Sequence, residues 1–206
     1  MKGPLWIAPE PLVLASTSRT RRSLLQAAGL AVSVEAPGVD ERAVEACLQA
    51  DYARPLLLAR RLAAEKALAV SRRRPENYVI GADQVLALDQ EIFHKPPNRD
   101  AARTQLSRLS GRTHSLICAG VLAANGKVVE EFSDEAVLTM RQLSAQAIET
   151  YLAIAGPTVL DSVGCYQVEG LGIHLFEKIS GDHATILGLP LQRLLEALRR
   201  QGCLAF

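Results

Sequence analysis

The chain has 206 residues, 49% of them hydrophobic and 22% charged, a balance that excludes a disordered chain and allows a sizeable buried core. Lys and Arg number 23 against 22 Asp and Glu, for a formal charge of +1, so no global field attracts nucleic acid and any anion must meet a local cluster. No run approaches the ~18 apolar residues of a membrane span, and Pro4, Pro9 and Pro11 interrupt the apolar start before it forms a signal-peptide core. Leu12 to Ala15 predicts a short strand. Ser16-Thr17-Ser18 follows it, and Arg21, Arg22, Leu24, Leu25 and Ala28 then keep helical spacing as far as Gly29. Ala31 to Glu35 alternates as a second strand, and the Pro37-Gly38 loop carries Val39-Asp40-Glu41. Pro55 suits the first position of a long helix through Arg73, with an apolar face built on Leu56, Leu57, Ala59, Leu62, Ala63, Ala67 and Val70.

Tyr78 to Gly81 and Val85 to Leu88 read as separate strand segments, with Asp89-Gln90 as a turn before Ile92-Phe93. Asn98 caps a helix to about Leu109, with Asp100 in its first turn. His114 to Ala123 and Lys127 to Phe132 flank Asn125-Gly126, a strong hairpin signal. Ala136 to Met140 predicts a further strand, Ser144 caps a helix to Ile154, and another strand surrounds His174 to Ile179. Pro190 starts a last helix that ends near Gly202. This alternation around a hairpin predicts an α/β fold in one unit over 1–206: a mixed twisted sheet with flanking helices.

The segment Ser16 to Arg22 puts hydroxyls and arginines where a strand opens a helix, so free N–H groups and a guanidinium fork can meet a phosphate. An ordinary N-cap with solvated arginines stays an equal reading, and no GxxxxGK[ST] supports a P-loop. Asp83 follows the apolar Val79-Ile80 at a predicted strand end, where α/β ligand sites gather; it suits a divalent cation or a water, and equally a turn cap. Lys95 precedes Pro96-Pro97, which fixes its loop. Asp40-Glu41 lies in a loop and Glu65-Lys66 on the long helix, where a solvated charged face is the plain reading. Arg72-Arg73-Arg74 reads as a solvated helix C-terminus. His94, His114, His174 and His183 show no metal-site spacing, and Cys47, Cys118, Cys165 and Cys203 form no CxxC pair. Reduced, mostly buried thiols and a cytoplasmic protein are expected. Neither Ser16 nor Ser18 sits in a GxSxG elbow.

Four blocks occur in order: Leu14 to Ser18 with Arg21 and Leu24-Leu25; Val39-Asp40-Glu41; Val79 to Gln84 with Lys95-Pro96; and Leu109-Ser110-Gly111-Arg112. With Arg141 to Ser144, Gly170 to Ile173 and Ile186 to Leu191, they make the chain resemble the Maf family of nucleoside triphosphate pyrophosphatases, from about Leu12 to the final helix. The resemblance implies an elongated two-lobed α/β structure around a cleft, similar to inosine triphosphate pyrophosphatases, and a homodimer. It implies that a nucleoside triphosphate is hydrolysed to the monophosphate and pyrophosphate. Asp83 is then the catalytic proton acceptor and, with Glu41, a ligand of a divalent Mg or Mn cation. Ser16, Arg21, Lys66 and Lys95 are the substrate-binding residues.

By the same resemblance Thr20, Gln84 and Glu169 occupy positions tied to nucleotide choice. Family loops often read Ser-Pro-Arg-Arg or Ser-Pro-Trp-Arg where this chain has Ser18-Arg19-Thr20-Arg21, so Thr20 supplies no aromatic ring for stacking. Gln84 and Glu169, with Val168 to Glu177, resemble the 7-methyl-GTP pyrophosphatase branch; dTTP and UTP pyrophosphatases typically carry Thr and Gln there. An ionised Glu169 suits the two donors of guanine, and Gln84 is expected to donate to its O6. Hydrolysis of 7-methyl-GTP in nucleotide-pool housecleaning is the expected activity, without nucleic-acid or membrane partners. A dTTP or UTP pyrophosphatase and a non-catalytic nucleotide-binding regulator of cell division are the competing readings.

Overall fold

The computed structural model describes residues 5–48, 55–89 and 91–206. The ten residues Val79–Leu88 form the central strand, β3, which is buried along nearly its whole length and apolar except at Asp83 and Gln84. A strand covered on both faces needs such a run. The sequence reading split it into two segments at this polar pair; the structure carries the strand straight through. The other strands are β1 (Leu12–Leu14), β2 (Val32–Val34), β4 (Glu91–Phe93), β5 (Thr113–Ala124), β6 (Lys127–Met140) and β7 (Phe176–Ser180).

These seven strands make one mixed sheet in the order β2-β1-β3-β5-β6-β7, with β4 also on β3. β1 is parallel to β2 and β3, while β4, β5, β6 and β7 pair antiparallel. Asn125 and Gly126, at φ 49° and 69°, turn β5 into β6 as the Asn-Gly pair predicts. Lys127–Phe132 and Ala136–Met140, expected as two strands, are one continuous β6. His174 lies in the short 3-10 segment Leu171–Leu175, so the following strand starts only at Phe176. Asp89 has the positive φ of a turn, while Gln90 lies outside the described residues.

Helix α1 (Arg19–Ala27) follows β1, and α2 (Glu41–Cys47) and α3 (Pro55–Ser71) lie between β2 and β3. The remaining α-helices among the described residues are α4 (Arg99–Leu109), α5 (Ala145–Ala155), α6 (His183–Ile186) and α7 (Leu191–Arg200). Ser18, Asn98 and Ser144 cap their helices through side-chain oxygens, as expected. Pro190 is itself the N-cap of α7 rather than its first residue. None of the helices among the described residues is long and apolar enough to cross a membrane.

Period-2 alternation sends the odd residues of β3 toward α3 and the even residues to the opposite face. On the α3 side Val85, Ala119 and Val121 pack under Leu58, Leu62 and Ala67. The other face carries two separate apolar cores. In one, Ile80, Ala82, Leu122 and Phe132 pack with β1 and with Leu194, Ala197 and Leu198 of α7. In the other, Leu86, Leu88, Leu116 and Leu138 pack with Leu106 of α4 and Ile148, Tyr151 and Leu152 of α5. Each fully buried Leu contributes about 1.5–3 kcal/mol, so both cores are substantial.

Candidate active site

The boundary between the cores coincides with a break in the sheet. β1 pairs with β3 at Val79 and Ile80, and β4 occupies the same edge at Leu86 to Leu88. Between these docks β3 has no strand neighbour on that side among the described residues, whereas β5 accompanies it along the other edge. β1 runs parallel to β3 and so ends facing the break, delivering Ser16. β4 runs antiparallel and ends facing it from the opposite direction, delivering Lys95. Val13 N–H donates to Tyr78 O and Ala15 N–H to Ile80 O, which shows that even-numbered peptide groups of β3 face this edge. Ala82 and Gln84 therefore turn their N–H and C=O into the break.

Asp83 is thus in mid-strand and not at the end of one, as its apolar prelude suggested; the strand ends that gather at the site belong to β1 and β4. Gly81 explains why α3 can reach it. A Cβ there would sit 2.3 Å from Ala63 O and 2.6 Å from Ala67 N, so only glycine lets the helix backbone touch the sheet. One helical step on, Lys66 lies over Asp83. Lys66 is 6% and Asp83 8% exposed, in place of the solvated face that composition alone suggested for the lysine. Lys66 Nζ donates to Asp83 Oδ1 at 2.6 Å and is paired with Glu41 Oε1 at 2.6 Å. Burial pushes the Asp83 carboxyl above its ordinary range, Lys66 and Arg21 pull it back, and Glu41 adds to the rise.

Glu41 is not in a loop. Asp40 accepts from Ala43 N–H and caps α2, of which Glu41 is the first residue. The N-cap reading of Ser18 also holds, since its Oγ accepts from Arg21 N–H. Ser16 does more: its buried hydroxyl accepts from Ser18 N–H at 3.2 Å and from Arg21 Nη1 at 3.3 Å. The N–H groups of Arg19 and Thr20, in the first turn of α1, have no intrahelical acceptor. Arg21 Nε donates to Gly188 O at 2.7 Å, which orients the guanidinium beside Ser16.

The structure brings Ser16 to Arg21, and Lys66 to Asp83 and Glu41, but leaves other expected residues apart. Lys95 is exposed at the end of β4, Thr20 is half-buried on α1, and Glu169 is exposed in the turn before Gly170. Gln84 faces away from Asp83, and its Nε2 donates to Thr185 O and Ile186 O, both at 2.9 Å. Its donors are engaged within the protein and do not remain for guanine O6. Arg73 and Arg74, expected only to meet solvent, both pair with Glu35. Cys47 is exposed, and the other three cysteines are buried; all four are free. Sequence reasoning also missed Glu45, whose Oε1 is buried 3.4 Å from His94 Nε2, beside Lys95. Its spacing from Glu41, one helical turn on the same side, was the available signal.

No group of three His, Cys, Asp or Glu among the described residues could hold a metal ion alone. Glu41 and Asp83 nevertheless converge on one ammonium and are hard oxygen donors. That set fits a magnesium-like ion, which takes one or two carboxylates and completes its shell with water and phosphate oxygens.

Fold and site define an α/β protein whose sheet carries a buried carboxylate–lysine cluster at a broken edge between two cores. The chain belongs to the Maf family: the model for "Maf-like protein" matches residues 11–201. It is 51% identical over 202 residues to a nucleoside triphosphate pyrophosphatase of Rhodopseudomonas palustris (strain BisB18), covering 98% of this chain and 99% of that one. It is 51% identical over 193 residues to a 7-methyl-GTP pyrophosphatase of Brucella abortus biovar 1 (strain 9-941), covering 94% and 97%. A 7-methyl-GTP pyrophosphatase of Mesorhizobium japonicum (strain LMG 29417 / CECT 9101 / MAFF 303099) is 49% identical over 195 residues, covering 95% and 98%.

Proposed function

We propose that the chain is a nucleoside triphosphate pyrophosphatase that takes 7-methyl-GTP and water to 7-methyl-GMP and pyrophosphate. The observation that carries this reading is Lys66, held between Asp83 and Glu41 where the ends of β1 and β4 face each other. A triphosphate brings about four negative charges, and its hydrolysis depends chiefly on neutralising them. Arg21, Lys66 and Lys95 supply three positive charges, and the outward N–H groups of Ala82 and Gln84 add neutral donors. Asp83 takes a proton from the water that attacks the α-phosphorus, as the bond to the β-phosphate oxygen breaks. Burial raises its affinity for protons, which suits that task, and the Lys66 ammonium favours the ionised form and orients it. Glu41 and Asp83 would hold a Mg or Mn cation, which screens phosphate charge and acidifies the water.

Relatives named as 7-methyl-GTP pyrophosphatases support the choice of base, as does Glu169, an exposed carboxylate free to take the two donors of guanine. Methylation at N7 makes that base cationic and strengthens the attraction. Pyrophosphate release from 7-methyl-GTP, GTP, dTTP and UTP, side by side with magnesium or manganese, tests the reading. 7-methyl-GTP should lead. Preference for dTTP or UTP would overturn the base assignment alone, and binding without turnover on any nucleotide would favour a regulatory role.

A further inference from the structure

Lys95 is exposed on the stretch 94–98 that joins β4 to α4, so its ammonium can meet a phosphate only where the main chain places it. β4 alone does little to fix that place. It is a three-residue edge strand, with Glu91 opposite Leu88 of β3 and Phe93 opposite Leu86. Even-numbered peptide groups of β3 face this edge, so Glu91 and Phe93 turn their N–H and C=O toward it and His94 turns its own away. Gln105 of α4 meets the His94 carbonyl there, its Nε2 donating to His94 O at 2.7 Å. The amide has only one way round. A carbonyl accepts and never donates, so Nε2 must face it, and Oε1 is left to accept from the Cys165 thiol at 3.3 Å. Cys165 is buried and is itself held, its carbonyl accepting from Tyr151 OH at 3.1 Å.

This clamp completes a wider grip of α4 on β4. One turn beyond Gln105, Arg108 pairs with Glu91 at the start of the strand, and its guanidinium lies 4.7 Å from the centroid of the Phe93 ring. The Lys95 stretch is fixed at its far end as well, where Pro96 is buried and Asn98 caps α4 by accepting from Ala101 N–H. Gln105 stands about two turns along the same helix and reaches back to the residue before Lys95, so it closes 94–98 into a ring. We infer that Gln105 is a positioning residue for Lys95: its amide holds the His94 carbonyl and thereby aims the lysine at the phosphates across the break in the sheet. This rests on the pyrophosphatase reading above.

The test is a double-mutant cycle of Lys95→Ala with Gln105→Met, which removes the donor at similar volume; Gln105 is only half-buried, so the variant should fold. In the parent background Gln105→Met should lower kcat/KM on the preferred nucleotide about three- to tenfold, the scale of one hydrogen bond. In the Lys95→Ala background the same substitution should change it by less than about twofold, because the group it aims has gone. Equal losses in the two backgrounds would mean that Gln105 serves the fold and not Lys95, and would overturn the inference, as would an unchanged kcat/KM in folded Gln105→Met. Calorimetric binding of inorganic triphosphate with magnesium repeats the cycle without turnover. Affinity should fall in Gln105→Met and fall no further when that substitution is added to Lys95→Ala; additive losses would overturn the inference there too. A parent protein that binds triphosphate but releases no pyrophosphate from any nucleotide would instead sink the functional reading, with the binding cycle still judging the clamp.

Discussion

His114 should make the fold sensitive to mild acid. Its ring is 2% exposed, shares a hydrogen bond of 2.7 Å with Tyr166 OH, and packs near the rings of Tyr166 and Phe176. Its Nδ1 has no partner among the described residues. Burial pushes the imidazole from 6.5 down to about 4. With the folded value below the unfolded one, the unfolded chain gains a proton first as pH falls. The contribution is fully present above about pH 6.5 and is lost progressively toward pH 4. At ~1.4 kcal/mol per unit, the gap amounts to ~3 kcal/mol. The assay is urea unfolding of the parent protein and of His114→Phe at steps from pH 7.5 to 4.5. The variant keeps an aromatic ring but strands Tyr166 OH, so it should be less stable by about 1–3 kcal/mol at neutral pH. That deficit should shrink or reverse toward pH 4.5, because the variant has no imidazole to titrate. Carboxylates act on both proteins alike, so a stability difference that stays constant across this range would refute the reasoning.

Asp83→Asn should fold and lose about 100-fold or more in turnover, the scale of a missing proton acceptor. Because burial raises the Asp83 value, ionisation costs stability as pH rises through its range; Asn removes that cost while Glu41 still pairs with Lys66, so a melting temperature at or above the parent's is expected. Near-normal pyrophosphate release by the folded variant would remove Asp83 from the mechanism. Gly81→Ala should destabilise by about 1–3 kcal/mol, since the added methyl meets helix backbone, and should depress kcat/KM by shifting Lys66; an unchanged melt would show that α3 moves freely. Lys95→Ala should weaken catalysis far more than Arg73→Ala, because Arg73 is held by Glu35 and Ala36 O; equal losses would sink that contrast.

The caps, the hairpin and the mixed sheet were legible because each rests on local chemistry: a hydroxyl three residues before an amide, or a pair of residues that tolerates positive φ. Lys66 was legible in principle as well. It stands in the stripe of Ala59, Leu62, Ala63, Ala67 and Val70, where a solvated lysine has no place, and that break in the apolar face marks it. Asp83 was placed at a strand end because two polar residues interrupt an apolar run, and nothing local distinguishes a break in the strand from a break in its neighbours. The partners that decide the matter, β1, β4 and β5, lie up to 66 positions away along the chain and meet β3 only through register. The engagement of Gln84 was invisible for the same reason, its acceptors being about a hundred residues away.

The two docks on β3 work as a ruler. Leu14 stands opposite Ile80 and Phe93 opposite Leu86, six positions apart on one strand, or about 20 Å at the rise of an extended chain. What separates Ser16 from Lys95 is measured along that strand and owes nothing to the length of the connections that carry the chain away and back. Loops elsewhere can lengthen or shorten while the opening keeps its span. A single residue removed between Ile80 and Leu86 is different in kind: it brings the docks together and turns every later side chain of β3 to the opposite face. The calibrated part of the protein is therefore the short stretch from Ile80 to Leu86, and the freedom to vary lies in what surrounds it.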